Sequence, residues 1–249
     1  MGELGVVRRY AYWSDRRVRS IAADNAIGLD RRWRWGFKTP SLGLAPQAEI
    51  AEDRQTLQRH DIAVKVERAI GSRAVEDFVT PPPASFAKGC TEMTLAAYTR
   101  WYGAKKKSKR KGVIAHTRTV SSNGTSVEII LFASIEHCAG YLSGKKAEAP
   151  YWSSSSTGAI EEFITHKGTE PAPIYDDDES IAYEIVRVMQ NESMTDEYVF
   201  KRMPAAEWFA EIYHDVVLDK EERWNFRPDD PQPDRIVIGA PLWIRSYAD

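Results

Sequence analysis

Three serine-bearing turns are the places where residue type and spacing in this sequence best suit the binding of an anion. Each turn lies beside an apolar segment and leads into residues that favour a helix. A helix N-terminus offers unpaired N–H groups and a positive dipole end, and hydroxyl groups add further donors, so such turns suit phosphate. If one sheet edge gathers the turns, they form one ligand pocket. The ligand-binding candidates are Ser14, Ser134, Ser155, Ser156, Thr157 and Gly158.

Ordinary helix capping is the alternative interpretation of the same turns, because serine and threonine are common capping residues. Two residues in or beside the turns, Asp15 and His137, are the candidates for acid–base catalysis on a nucleotide or a sugar phosphate. Cys138 follows His137, but a small buried cysteine on a short helix is the simpler interpretation. The sequence contains no Gly-x-Ser-x-Gly segment. Whether the protein is an enzyme therefore stays open.

A basic run in the middle of the chain is the second feature that could bind an anion. Its cations would neutralise phosphates, and the aromatic residues of the segment WRWGFK at 33–38 could stack on bases. A solvated loop is the alternative interpretation, since the net charge of the chain is −2. The candidates for contact with nucleic acid or with a protein partner are Lys105, Lys106, Lys107, Lys109, Arg110 and Lys111.

Metal and cofactor sites have no signature in the sequence. The histidines fall in separate predicted elements, and no Cys-x-x-Cys or His-x-x-x-His spacing occurs. Neither a P-loop nor a Gly-x-Gly-x-x-Gly segment is present. We therefore expect no metal and no cofactor.

Length and composition predict one domain over residues 1–249 and a cytoplasmic location. The 249 residues can bury a large core, and no apolar run is long enough to span a membrane. The N-terminal residues lack the pattern of a signal peptide, and two cysteines are too few for a disulfide framework. Mobile loops are expected at 24–45, 103–112 and 219–234.

The periodicity of apolar residues predicts an α/β or α+β fold. Its centre would be a mixed β-sheet of about five or six strands with helices packed on it. Asn123-Gly124 predicts a hairpin turn, and Pro241 predicts a bulge or an edge position. The predicted strands cover 6–13, 91–102, 112–120, 126–133 and 235–246. The predicted helices follow Ser14 and Ser134 and cover 46–71, 73–78, 157–167, 180–190 and 205–217.

Six short segments together resemble an uncharacterised family of bacterial, mainly actinobacterial, proteins. They are YAYWSDRRV (10–18), VERAIGS (66–72), GCTEM (89–93), LFASIEHCAG (131–140), SSSSTGAI (153–160) and IGAPLWIRS (238–246). The chain departs from the family pattern at Ala133 and Ala240, where glycine and serine are usual. The family has no assigned activity to carry over, and the position of some relatives beside bacterial conflict and immunity genes favours a sensing or adaptor role.

The leading hypothesis is a sensing or adaptor domain that binds a small anionic ligand, such as a nucleotide derivative, at the serine-bearing turns. The first alternative is an enzyme that acts on a nucleotide or a sugar phosphate. The second is a nucleic-acid-binding or protein-interaction domain that uses the basic run 105–111. A protein partner fits the adaptor role, and none of the hypotheses involves a membrane.

Overall fold

The computed structural model groups the chain into two compact units, Ser14–Ala74 and the remainder of the chain. The expected single domain stays a prediction. Of the loops expected at 24–45, 103–112 and 219–234, the segments 29–44, 103–107 and 219–231 lie outside the described residues, and so does most of the helix predicted at 157–167. The structure describes residues 8–28, 45–102, 108–139, 160, 177–191, 199–218 and 232–247.

The unit Ser14–Ala74 contains two helices, as the sequence predicts. Helix α1 spans Asp15–Asp24, and helix α2 spans Ala45–Ile70. Gly71, with a φ of +55°, ends α2 and begins a 3₁₀ turn that closes at Arg73. Residues 74–75 form the short strand β2, so the helix predicted at 73–78 is wrong.

Arg73 ties the ends of the two helices together. Its guanidinium donates a hydrogen bond to Oδ1 of Asn25, the C-cap of α1, at 2.7 Å. It also donates to the carbonyl oxygens of Ala69 and Ile70 in the last turn of α2, at 3.2 and 3.3 Å. These carbonyls lack partners within the helix, so a cation there also suits the negative end of the α2 dipole.

The other unit is a closed barrel. Five strands pair in the ring order β3–β4–β5–β7–β6 and back to β3, and β1 pairs with β7 outside the ring. Only the β5–β7 pair is parallel among the pairs of the ring. The elements are β1 (Arg8–Trp13), β3 (Phe86–Tyr102), β4 (Ser108–Val120), β5 (Ser126–Ser134), α3 (Asp178–Asn191), β6 (Val199–Val217) and β7 (Arg235–Tyr247).

The α/β or α+β prediction is wrong, because the described part of the chain is mostly β: a closed barrel of five strands with two extra strands and three helices. The error lies at 205–217, predicted as a helix but found as most of β6. The middle of this strand is covered on both sides: Trp208 and Ala210 face the barrel interior, and the buried Phe209 between them stacks on Trp243. A strand buried on both faces lacks the alternation that identifies a strand.

Small residues allow the barrel to close around a few large ones. The interior contains Trp208, Met93 and Leu95, all nearly inaccessible, among many alanines. A Cβ atom added at Gly89 would lie 3.1 Å from the Trp208 ring, so this glycine makes room for the indole. The Trp208 indole N–H donates to Oγ1 of Thr91 at 3.1 Å, which satisfies the buried donor.

Helix α3, whose predicted span of 180–190 is confirmed, packs on the outer face of β6 and β7. Ala182, Ile185 and Val186 of this helix are buried against the barrel. Asp178 in the first helical turn contacts the His214 ring of β6, with 3.0 Å between Oδ1 and Nδ1. The buried residues of the helix belong to one apolar cluster with buried residues of the barrel, which include Ile114, Ile130, Phe132, Ile236 and Ile238.

The predicted bulge at Pro241 is confirmed. Strand β7 pairs with β5 up to Gly239 and with β1 from Trp243 onward, so Pro241 lies where β7 changes partner. Against β6, Leu242 is skipped: Trp243 lies opposite Phe209, and Pro241 lies opposite Ala210. A residue without an N–H group therefore occupies an interruption of the hydrogen-bond ladder.

The Gly239→Ala variant tests how tightly the barrel closes. A Cβ atom at Gly239 would lie 2.2 Å from the backbone oxygen of Glu211, which cannot move without breaking the β6–β7 pairing. We expect urea denaturation to show a loss of about 3 kcal/mol in the free energy of unfolding. In the control Gly28→Ala, no atom lies within 4 Å of the added Cβ, so the stability should stay unchanged. Equal stability of the two variants would contradict the proposed closure.

Candidate nucleic-acid interface

The serine residues of the predicted ligand pocket are distributed over the chain. Ser14 belongs to the helical unit, is 4% exposed, and makes no side-chain capping hydrogen bond. Ser134 ends β5 in the barrel unit, and its hydroxyl donates to a carboxylate oxygen of Glu136 at 3.0 Å. The segment with Ser155, Ser156, Thr157 and Gly158 lies outside the described residues. The predicted pocket stays a prediction.

The helix expected after Ser134 is only a 3₁₀ turn, Ile135–His137, after which Cys138 returns to an extended conformation. One such turn provides no helix N-terminus for an anion. A backbone bridge between Cys138 and Tyr12 explains the correction, because pairing with β1 draws this segment out of a helix. The Tyr12 ring also lies edge-to-face with the His137 ring, with 6.0 Å between centroids.

The candidates for acid–base and thiol chemistry belong to different units of the structure. Asp15 begins α1 in the helical unit, whereas His137 belongs to the barrel unit. Burial raises the pKa of the Cys138 thiol to about 12, because the nearby Lys201 offsets only part of the desolvation. The thiol therefore stays protonated at neutral pH, and a protonated thiol is a poor nucleophile.

The basic run is partly built into the sheet. Lys105, Lys106 and Lys107 lie outside the described residues. Residues 108–112, expected to belong to a loop, begin β4 instead. In the antiparallel register with β3, Lys109 lies opposite Trp101, Arg110 lies opposite Arg100, and Lys111 lies opposite Thr99. Lys109, Arg110 and Lys111 thus have fixed backbone positions on a two-stranded ribbon, which we call the basic ribbon (residues 99–102 and 108–111).

A cluster of His116, Arg118 and Glu128 lies on the outer face of β4 and β5, and the sequence analysis missed it. Nε2 of His116 contacts one carboxylate oxygen of Glu128. Nε of Arg118 donates to the other oxygen at 2.5 Å. The Glu128 side chain is 6% exposed, whereas those of His116 and Arg118 are 29% and 28% exposed. A buried carboxylate therefore holds two partly exposed basic side chains in place.

The charge of Glu128 is maintained by its two partners. Burial opposes ionisation, but the hydrogen bonds and positive charge provided by His116 and Arg118 outweigh it and hold the pKa of Glu128 below its ordinary value. A signal for this cluster exists in the sequence. Glu128 is the one charged residue of the strand SVEIILFAS, and the Asn123-Gly124 turn places Arg118 opposite it.

The turn itself is confirmed, and its geometry sets the register. The amide of Gly124 donates to the carbonyl of Ser121, and the amide of Ser121 donates to the carbonyl of Thr125, both at 2.9 Å. Gly124 has a φ of +88°, a conformation that glycine adopts without strain. This loop of three residues fixes all nine pairs between Gly112–Val120 and Ser126–Ser134.

The barrel has the same number of strands as the oligonucleotide/oligosaccharide-binding (OB) fold. In that fold five strands form a Greek-key barrel, and oligonucleotides bind on the face of the second and third strands and on the loops after the first and fourth. Here β3 to β7 are the five strands in chain order, with α3 between the third and the fourth. The cluster of His116, Arg118 and Glu128 lies on strands two and three, and the basic ribbon joins strands one and two.

Comparison with known proteins adds no functional information. No family model, no curated protein and no solved structure matches the chain. Within the described ranges, no group of three or more His, Cys, Asp or Glu residues could hold a metal ion. The helices of the described part include none that is long and apolar enough to cross a membrane.

A cavity of about 520 Å³ opens at one end of the barrel, between the loop from Phe78 to Pro82 and the turn at Asn123–Thr125. Arg235 lines this cavity, but its guanidinium makes hydrogen bonds within the fold. Its guanidinium donates to both carboxylate oxygens of Asp215 at 2.6 Å, and to the carbonyls of Phe78 and Thr80 at 2.8 and 2.7 Å. Because this buried ion pair holds the loop against β6 and β7, Arg235 has a structural role.

Thiol labelling tests the assignment of Cys138. We expect a disulfide reagent at about pH 8 to modify the exposed Cys90 quickly and to leave the buried Cys138 unmodified until denaturant is added. A Cys90→Ser variant should then show no fast labelling. Fast modification of one thiol in that variant would contradict the protonated, buried state of Cys138.

Proposed function

We propose that the protein binds single-stranded nucleic acid on the basic ribbon. The observation that carries this proposal is the position of Lys109, Arg110 and Lys111. They lie at the junction between the first two strands of the five-stranded barrel, and the OB fold contacts oligonucleotides at the corresponding junction. This function is an analogy at the level of the fold, supported by the charge at the corresponding place.

The chemistry of the ribbon suits a nucleic-acid backbone. Arg100 and Arg110 are register partners, and Lys109 and Lys111 flank Arg110 in the chain, so four cations lie within a short length of ribbon. Cations in this arrangement release the counterions of phosphates, which drives binding. The sequence of the ribbon also contains Trp101 and Tyr102, and aromatic residues among cations are typical of sites for unpaired bases. Aromatic stacking of this kind favours single strands over duplexes.

The proposal includes the sensing or adaptor role expected from the sequence, with nucleic acid as the anionic ligand. It also includes a cytoplasmic location, where the ligand occurs and where cysteines stay reduced. The free state of Cys90 and Cys138 supports that location. Neither a protein partner nor an enzymatic reaction is required for the proposed binding.

Fluorescence anisotropy with a labelled oligothymidylate tests the proposal. We expect binding whose logarithmic affinity falls linearly with the logarithm of salt concentration. In the triple variant Lys109→Gln/Arg110→Gln/Lys111→Gln, the slope should become shallower by about 2, because each lost phosphate contact on a single strand contributes about 0.7. A duplex of the same length should bind more weakly than the single strand.

A matched control removes the same charge elsewhere. Arg16, Lys65 and Arg68 are exposed residues of the helical unit. The variant Arg16→Gln/Lys65→Gln/Arg68→Gln should keep the affinity and salt dependence of the original protein. The absence of binding to any single strand, or equal losses in the two triple variants, would overturn the proposal.

A further inference from the structure

We propose that Arg100 and Arg110, the arginine pair, hold one phosphodiester of the bound strand between them. This inference rests on the proposed function and deepens it, since it names the residues of the basic ribbon that contact one phosphate together. Lys109 and Lys111 attract other phosphates, each on its own.

The register of the ribbon places two like charges directly opposite each other. Strands β3 and β4 form nine consecutive pairs without a register shift, and Arg100 lies opposite Arg110 among them. Directly opposite residues share one face of a sheet, with about 5 Å between their Cβ atoms, and like charges in such a pair destabilise it. The free protein therefore contains an unfavourable interaction that an anion between the two arginines would relieve.

The sequence around the arginine pair contains no acidic residue. Neither Asp nor Glu occurs between Glu92 and Glu128, a range that includes the whole of β4 and the ribbon part of β3. A carboxylate opposite an arginine would stabilise the pairing of the two strands. Because both strands lack one, the neutralising charge must come from outside the ribbon, and a phosphodiester would supply it.

The lysines of the ribbon have uncharged partners. Lys109 lies opposite Trp101, and Lys111 lies opposite Thr99, so neither lysine has a like charge directly across the ribbon. Successive residues of a strand lie on opposite faces, so both lysines belong to the other face from Arg110. They provide a matched control, because they have the same charge on the same strand without the repulsion.

The arginine pair lies beyond the neighbouring strands of the ring. Among the described residues, β6 pairs with β3 as far as Ala96, and β5 pairs with β4 as far as Gly112. Arg100 and Arg110 lie further along the ribbon than either point. The pairing of the barrel therefore ends before the position at which the two arginines meet.

The chemistry of arginine suits a shared phosphate. A guanidinium offers planar N–H donors that match two oxygens of one phosphate, and a second guanidinium can donate to the remaining oxygen. Arginine stays protonated throughout the physiological pH range, so this contact needs no change of protonation. The ligand class is accordingly a phosphodiester.

A double-mutant cycle measured by fluorescence anisotropy with labelled oligothymidylate tests the coupling. We expect Arg100→Gln and Arg110→Gln each to weaken binding about tenfold, because one guanidinium alone holds the phosphate poorly. The double variant should lose at most about twofold more than either single variant, since the shared contact is already gone. In the control cycle, the losses from Lys109→Gln and Lys111→Gln should multiply.

Hydrogen exchange without nucleic acid tests the repulsion. At low salt, the ribbon amides of either arginine variant should exchange about twofold more slowly than those of the original protein, because the like-charge pair is gone. High salt should remove this difference, and Lys111→Gln should exchange as the original protein does. Faster exchange in the arginine variants would show that the protein itself neutralises the pair, and this result would overturn the proposal.

An oligothymidylate with an uncharged methylphosphonate backbone separates phosphate contacts from base contacts. The arginine variants should bind it as tightly as the original protein does, and circular dichroism should show that each variant is folded. A loss that persists with this backbone, or losses that multiply in the arginine cycle, would overturn the arginine pair and leave the proposed function standing. Absence of binding by the original protein would overturn both.

Discussion

The pairing of β6 with both β3 and β7 is the interaction on which the rest of the barrel depends. Its 19 residues, Val199–Val217, run between the two neighbours and convert an open sheet into a ring. Closure brings the interior faces together around Trp208. It also defines an outer face on which side chains of β4 and β5 have fixed positions. Without β6, the cluster around Glu128 would lie on an open sheet with two free edges.

Local sequence signals predicted most of the helices, strands and turns. The fold class was decided by the pairing of β6, for which the sequence has no local signal. The residues Asn123-Gly124 and Ser14-Asp15, together with the acidic start of α3, indicate their structures through turn geometry and helix dipoles, and these elements were found. Strand β6 has no local signal of this kind. Its alanines and glutamates favour a helix, and its apolar residues lie on both faces because both faces are covered. The β-barrel depends on pairing between strands that lie far apart in the sequence, and a short stretch of sequence does not show such pairing.

Only part of the candidate interface could be predicted from the sequence, for the same reason. The basic run is visible as composition, although its division into loop and strand is not. The contact between Arg118 and Glu128 depends on the hairpin register, which is set by the turn and not by the residue types of the two strands. For the serine-bearing turns, the residue type suited the prediction, but the local structure depends on distant pairing. Ser134 has the right residue type, but pairing of Cys138 with β1 removes the helix that it would cap.

The distance along the chain between β3 and β6 has a consequence for how the protein reaches its native state. The β3–β4–β5 meander contains only local pairings and can form as soon as it leaves the ribosome, whereas closure requires β6 and then β7, which are synthesised much later. During that interval the meander exposes unpaired strand edges and the apolar surface of Met93 and Leu95. Such edges recruit other chains, so the nascent protein is most vulnerable to aggregation until β6 and β7 have been made, up to residue 247.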